Sequence, residues 1–172
     1  MKIRKAVLRD AGIIAEFNVN LARETEGLKL DLETVRKGVE ALLKDRVKGV
    51  YFVAEMDGKP PTSSKVKVQS SKSKAGEIAG QLCVTHEWSD WRNGDFWWIQ
   101  SVYVKKEWRG RGIFAALFEH VQQLAREQPE VCGLRLYMEK GNERARRVYQ
   151  KLGMKQTHYH VFEKLIRGAG VE

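Results

Sequence analysis

Two neighbouring stretches decide the fold: Phe96-Trp97-Trp98-Ile99-Gln100-Ser101-Val102-Tyr103-Val104, and the hexapeptide Arg109-Gly110-Arg111-Gly112-Ile113-Phe114. The first is apolar, aromatic and β-branched, and predicts a strand. Past the hexapeptide, Ile113, Leu117, Val121 and Leu124 recur at helical spacing, which predicts an amphipathic helix to about Glu127. A strand, a Gly- and Arg-rich turn and a helix together make a site for an anion. The first turn of the helix has backbone N–H groups without partners, and its dipole favours negative charge. Gly110 and Gly112 let the backbone approach that anion closely, and Arg109 and Arg111 add positive charge beside it. The expected group is a pyrophosphate.

Towards the amino terminus, Lys2 to Val7 alternates charged and apolar residues and predicts a strand. Asp10 then offers an N-cap for a helix with Ile13, Ile14, Phe17 and Leu21 on one face, ended at Glu24-Thr25-Glu26-Gly27. Asp31 offers the next cap, before Val35, Val39, Leu42 and Leu43. Gly38 lies inside this second helix and weakens it by ~1 kcal/mol relative to Ala. Val50 to Ala54 is a strand. Residues 57–76 carry two prolines, many serines and lysines and almost no large apolar residue. Such a segment buries too little to offset its ordering entropy, so a mobile loop between neighbouring strands is expected.

Glu77 to Trp88 predicts another strand, and the Asn93-Gly94 turn returns the chain antiparallel into Phe96–Val104. Within it, Gly80-Gln81-Leu82 carries no evident chemistry. After the central helix come a strand from Cys132 to Met138, a helix from about Asn142 to Leu152 capped by Gly153, and a last strand from about Thr157 to Leu165. The order β α α β β β α β α β implies an α/β (α+β) domain spanning residues 1–172, with a mixed sheet and helices on both faces.

At 172 residues the chain suits one domain. With 42% hydrophobic and 31% charged residues it has the composition of a globular protein. No run approaches the ~20 apolar residues of a membrane span, and Met1-Lys2-Ile3-Arg4-Lys5 leads into no apolar signal core. Cys83 and Cys132 match no ligand spacing or disulfide framework. A cytoplasmic location is expected. The formal charge of +9 suits a polyanion or a phosphorylated ligand. Its distribution favours the latter, because much of it lies in the loop lysines or around the turn. Binding to nucleic acid or membrane is therefore not expected. His158 and His160 share a strand face without a third ligand, so no metal site is expected.

Taken together, these motifs resemble the Gcn5-related N-acetyltransferases, the GNAT superfamily. Arg109-x-x-Gly112 matches the family's turn between its fourth strand and third helix, with Phe114 where Gly or Ala is usual. Asn142-x-x-Ala145-x-x-x-Tyr149-x-x-x-Gly153 matches its second element, followed by Met154 where Phe is commoner. The resemblance implies acetyl-coenzyme A as cofactor. It implies that Val102, Tyr103 and Val104 bond the pantetheine arm. The turn from Arg109 through Gly110, Arg111, Gly112, Ile113 and Phe114 to Ala115 would hold the pyrophosphate. Asn142 would bond the pantetheine region, and Tyr149 would stand near the thioester sulfur.

Acetyl transfer to an amine needs a neutral nucleophile, a stabilised oxyanion and a proton for the leaving thiolate. Val102 N–H is the candidate oxyanion donor. Tyr149, a phenol with an ordinary pKa of about 10, is the candidate acid. Related enzymes often carry a glutamate on the fourth strand, at a position that corresponds here to Gln100, which is no base. Glu87 on the partner strand and Glu26 in the first interhelical loop are the candidate bases, with Glu24 beside the latter; loss of the proton to water before binding is the other route. Trp88 or Trp91 is expected to line the acceptor cleft, where aromatic rings and nearby acids suit a cationic amine. The resulting expectation is an N-acetyltransferase acting on a small cationic or amino-acid-like primary amine by direct transfer in a ternary complex, since no cysteine is placed as a covalent carrier. The alternatives are a non-catalytic acyl-CoA-binding module and a peptide or protein N-acetyltransferase; a homodimer is compatible with any of them.

Overall fold

Nine elements follow one another as β1 (Lys2–Lys5), α1 (Ala11–Thr25), α2 (Leu32–Lys44), β2 (Val50–Met56), β3 (Glu77–Ser89), β4 (Gly94–Val104), α3 (Ile113–Arg126), β5 (Val131–Arg135) and α4 (Glu143–Lys151). They come from a computed structural model that describes residues 1–58, 76–164 and 166. The strands form one sheet in the order β1-β2-β3-β4-β5. Every pairing is antiparallel except β4 with β5, which is parallel. Alternation along the strands divides the apolar side chains between two faces. Phe52, Leu82, Val84, Trp97 and Ile99 meet Leu117, Phe118 and Val121 of α3 on one face. On the other, Tyr51, Val53 and Cys83 meet Ile14 and Ala15 of α1 and Val39 of α2.

The predicted order of elements holds through α4. Met56 pairs with Glu77, so the intervening segment joins neighbouring strands as expected; residues 59–75 of it lie outside the described residues. Asp31 caps α2 by accepting from Thr34 N at 2.8 Å, and the helix continues through Gly38. Asp10 departs from expectation. It stands at the N-cap of α1 but makes no cap hydrogen bond. Its carboxylate turns inward to Arg4, at 2.6 and 3.0 Å, and accepts from Val7 N at 2.8 Å.

The last predicted strand is a correction. Residues 157–164 form no strand, and Leu165 lies outside the described residues. A strand needs ladder hydrogen bonds, and residues 157–164 make none among the described residues, so that among these β5 ends the sheet.

Candidate active site

The site is built where β4 loses its neighbour. β5 pairs with β4 only from Asp95↔Val131 to Trp98↔Arg135, so from Ile99 to Val104 the edge of β4 on that side is open. On the other side β4 stays paired with β3 but carries an extra residue. Gln81 opposes Tyr103 and Cys83 opposes Gln100, so two steps on β3 face three on β4, a β-bulge. Ser101 takes up the excess in the left-handed region, φ +48°. For a residue with a Cβ this costs about 1–3 kcal/mol and persists only where the surroundings enforce it.

Those surroundings are a buried polar network. Gln81, fully buried, donates through Nε2 to the Ser101 carbonyl at 3.1 Å and to Asn18 Oδ1 at 2.6 Å. Asn18 in turn donates to the Tyr51 hydroxyl at 3.0 Å. Burial pushes the Tyr51 phenol up to about 12, and the Cys83 thiol beside it up to about 12, so the network stays neutral. Gln81 therefore carries a positioning role that its sequence context did not disclose.

Past β4 a single 3₁₀ turn, Lys106–Trp108, drops the Trp108 ring into the core. The loop then passes through Gly110 at φ +78° and Gly112 at φ +74° before α3 begins. No side chain caps α3, and among the described residues the backbone N–H groups of residues 110–115 have no partner. A Cβ on Gly110 or Gly112 would meet nothing within 4 Å, so the cradle is open. Gly80 acts from below. A Cβ there would lie 3.0 Å from the Tyr103 carbonyl and 3.1 Å from Ile113 Cγ2, so its absence lets the start of α3 abut the end of β4.

The two arginines of the turn differ. Arg109 donates to the Val104 carbonyl at 2.8 Å and to Glu24 at 2.7 Å, with its guanidinium 5.4 Å from the Tyr103 ring centroid. It is a brace rather than a free cation. Arg111 lies over Trp108 at 5.3 Å and is exposed. Glu24 also accepts from the Tyr103 hydroxyl at 3.0 Å. Partial burial opposes its charge, but the bonds from Arg109 and Tyr103 outweigh it and hold the carboxyl below its ordinary range. Glu26, the loop acid expected as base, takes no part in this cluster and is exposed.

Glu87 is no better placed. Its oxygens accept from Arg135 Nη1, at 2.6 Å, and from Trp98 Nε1. It opposes Phe96, six residues before Val102, or roughly 20 Å along the strand. Trp88 and Trp91, at the hairpin, are exposed and farther still. The aromatic residues nearer the opening are Trp98 and Tyr137, with ring centroids 5.7 Å apart. Gln100 donates to Thr85 Oγ1 at 2.7 Å.

The second motif forms α4. Asn142 caps it, accepting from Ala145 N at 3.0 Å through Oδ1, which leaves its amide donors uncommitted. Gly153 ends it at φ +83°, with Gly153 N bonded to the Gln150 carbonyl and Met154 N to that of Tyr149, a Schellman arrangement. Tyr149 meets Phe114 edge-on at 5.7 Å, and Phe114 meets Phe118 at 6.1 Å. Burial raises the Tyr149 phenol, which keeps its proton in place at neutral pH. The bulky Phe114 thus links the phosphate turn to the candidate acid.

A family model described as acetyltransferase (GNAT) family matches residues 33–154. The chain belongs to the GNAT family. It is accordingly an acyltransferase. Among solved structures it is similar to a possible acetyltransferase from Clostridium difficile 630, with 40% identity and a TM-score of 0.80 over 96% of this chain and 97% of that one. Two more distant structures share the fold. One is a predicted acetyltransferase with acetyl-CoA from Clostridium acetobutylicum, 17% identical, TM-score 0.70, covering 96% of each chain. The other is a ribosomal-protein-alanine N-acetyltransferase from Brucella melitensis biovar Abortus 2308, 19% identical, TM-score 0.69, covering 96% of this chain and 99% of that one. No curated protein matches at a significant level.

Against this GNAT frame, the residues that sequence reasoning missed are Asn18, Tyr51 and Gln81; Tyr103 was expected for its backbone, not for the hydroxyl that it gives to Glu24. One signal was present. From Ile78 to Val84 only Gly80 and Gln81 are not apolar, and a polar side chain inside such a run must find a buried partner.

Proposed function

We propose that this protein transfers the acetyl group of acetyl-CoA to the primary amine of a small, amino-acid-like acceptor, by direct attack in a ternary complex. The observation that carries the reading is the opening between β4 and β5, which has the bulge at one end and the uncapped start of α3 at the other. The residues fit the cofactor: an open glycine cradle with unpartnered N–H groups suits a pyrophosphate, and an unpaired strand edge suits the amides of pantetheine. The N–H groups of the turn from Arg109 to Ala115 would hold the one, Val102 to Val104 and Asn142 the other. When bound, acetyl-CoA supplies an acetyl thioester, an activated acyl group with a thiolate as leaving group.

The chain's own contribution is then electrostatic and protolytic. Val102 N–H, next to Ser101 in the bulge, would donate to the oxygen on which negative charge develops. Tyr149 would give its O–H proton to the thiolate sulfur when the C–S bond breaks, after the C–N bond has formed, and the proton that the acylated nitrogen sheds would restore the phenol through solvent. Cys83 is buried, with its thiol pushed up to about 12. Cys132 is exposed on β5, 3.3 Å from the Asp95 carbonyl at the far end of β4. Neither is a covalent carrier, which supports direct transfer.

Since Glu87 is committed to Arg135 and Gln100 cannot accept a proton, the acceptor delivers a neutral amine by losing its proton to water. The acid limb of kcat/KM should therefore shift with the pKa of the acceptor. A limb fixed at one pH across amines of different basicity would instead place a side-chain base in the enzyme. The acceptor class follows from charge. Arg135 lies 3.5 Å and Arg92 5.2 Å from the Phe96 ring centroid, and Glu87 meets only one of them. Of the two, Arg135 is the one that adjoins the opening, since it stands opposite Trp98 at the end of the β4–β5 ladder, and an acceptor carboxylate would share it with Glu87. In an amine panel followed by release of CoA, amino-acid-type acceptors should outperform diamines, and Arg135→Gln should lower that preference; a diamine preference would overturn this assignment.

A further inference from the structure

One residue stands in both halves of the site. Phe114 is the second residue of α3, and its N–H is among the unpartnered donors of the cradle. Its ring packs along its own helix against Phe118, one turn on, and edge-on against Tyr149 of α4, with centroids 6.1 and 5.7 Å away. Phe118 is buried in the core, whereas Phe114 and Tyr149 are half-buried. Three rings thus lead from the core to the phenol.

The contact matters because α4 has little else to hold it. The helix contributes no buried side chain. From Glu139 to Met154, every hydrogen bond and ion pair among the described residues closes within the segment itself. What ties the segment to the rest of the domain is packing. Leu152 and Met154, just after the last turn, meet the core, and within the helix Tyr149 meets Phe114. The Tyr149 hydroxyl has no hydrogen-bond partner among the described residues, so no polar contact fixes its position. The Gly or Ala that is usual in the family at position 114 would stop at Cβ or before it, and leave Tyr149 without this neighbour.

We propose that Phe114 is a positioning residue, whose ring sets the place of the Tyr149 hydroxyl relative to the pyrophosphate cradle. The proposal rests on the acid role of Tyr149 argued above. Because the cradle N–H and the ring belong to one residue in the first turn of α3, the separation of pyrophosphate and acid is set by that helix. A misplacement of about 1 Å at a reacting group is enough to cost on the order of 10²-fold in rate.

Phe114→Leu is the test, because it keeps an apolar side chain against Phe118 while removing the ring from Tyr149. The full chain is followed first by amide hydrogen exchange. Phe114→Leu should speed exchange across α4 and leave α3 from Leu117 onwards unchanged. Next, kcat is measured for wild type, Phe114→Leu, Tyr149→Phe and the double variant, with acetyl-CoA and the amino acid that releases CoA fastest in the amine panel. Phe114→Leu should lower kcat ~10-fold with KM for acetyl-CoA within about 2-fold, and should lower kcat no further in the Tyr149→Phe background. A ring that acts through the phenol has nothing left to position there. Phe114→Tyr, which keeps the ring, should lose less than Phe114→Leu by both readouts. Unchanged exchange in α4 overturns the proposal, and so do losses in kcat that add across the two positions. Full turnover in Tyr149→Phe is a separate failure, which removes the acid itself and the proposal with it.

Discussion

At the scale of single residues, Tyr149 has the most at stake. Its hydroxyl has no hydrogen-bond partner among the described residues, and burial raises its pKa, so it is a proton donor over the whole neutral range. Tyr149→Phe should reduce kcat at least ~10-fold, about 1.4 kcal/mol of activation free energy, with little change in CoA affinity by titration calorimetry. Unchanged turnover would remove it as the acid. Because a raised phenol keeps its proton to higher pH, the alkaline limb of kcat should lie above the ordinary tyrosine value of about 10, and should vanish in the variant. The residue's place was legible from the spacing Asn142 to Gly153, because a helix turns spacing into a face. The candidate bases are less legible, because a loop acid and a strand acid carry no spacing of that kind. Glu26 lies just past Glu24, the acid that the turn recruits, and Glu87 belongs to the opposite end of the β3–β4 ladder.

At the scale of elements, the bulge in β4 is the part that apolar periodicity could not reveal. Composition predicts a strand over Phe96 to Val104 and is right, but nothing in it says that Ser101 adopts φ +48°. That conformation is imposed from the neighbouring strand and from α1, through Gln81 and Asn18. Gln81→Leu keeps the size of the side chain while removing both of its hydrogen bonds, and it leaves the Asn18 carbonyl group without its donor. Stability should fall by ~1–3 kcal/mol in urea titration, the cost of an unsatisfied buried group. If Gln81 positions Val102 N–H, kcat should fall at least ~10-fold with KM for acetyl-CoA nearly unchanged, since the cradle at Gly110 and Gly112 is untouched. Equal losses in both parameters, or none in kcat, would reduce Gln81 to a purely structural group. A matching test at the cradle is Gly112→Val. A β-branched residue is strained at φ +74°, so here KM for acetyl-CoA should rise while Tyr149-dependent chemistry persists. The tail is a parallel case: residues 157–164 are strand-like in composition, yet among the described residues they pair with no ladder, and composition does not report pairing.

At the scale of the whole molecule, the site depends on an ion cluster far from it in sequence. Arg4 of β1 bonds both Asp10, before α1, and Glu55 of β2 at 3.0 Å, so one guanidinium fixes the start of α1 to the sheet. The same helix carries Asn18 to the bulge and Glu24 to Arg109. Asp10 is only 4% exposed. Burial alone would raise its carboxyl, but Arg4 and the Val7 N–H outweigh that and hold it below the ordinary range. Glu55 is lowered too, chiefly by its bond to Arg4. A depressed carboxyl binds its proton more weakly in the folded chain than in the unfolded one. Its contribution is therefore complete above the unfolded pKa of about 4 and is lost as pH falls through the lower folded value. Asp10→Asn leaves the half-buried Arg4 guanidinium with one charged partner fewer, and should cost ~3 kcal/mol at pH 7. At pH 3 the wild type has begun to surrender the same interaction, so the difference between the two proteins should shrink. Urea midpoints at the two pH values read this directly. A gap that stays constant from pH 7 to pH 3 would mean that Asp10 acts through packing, and that the anchoring of α1, and with it Asn18 and Glu24, does not rest on charge.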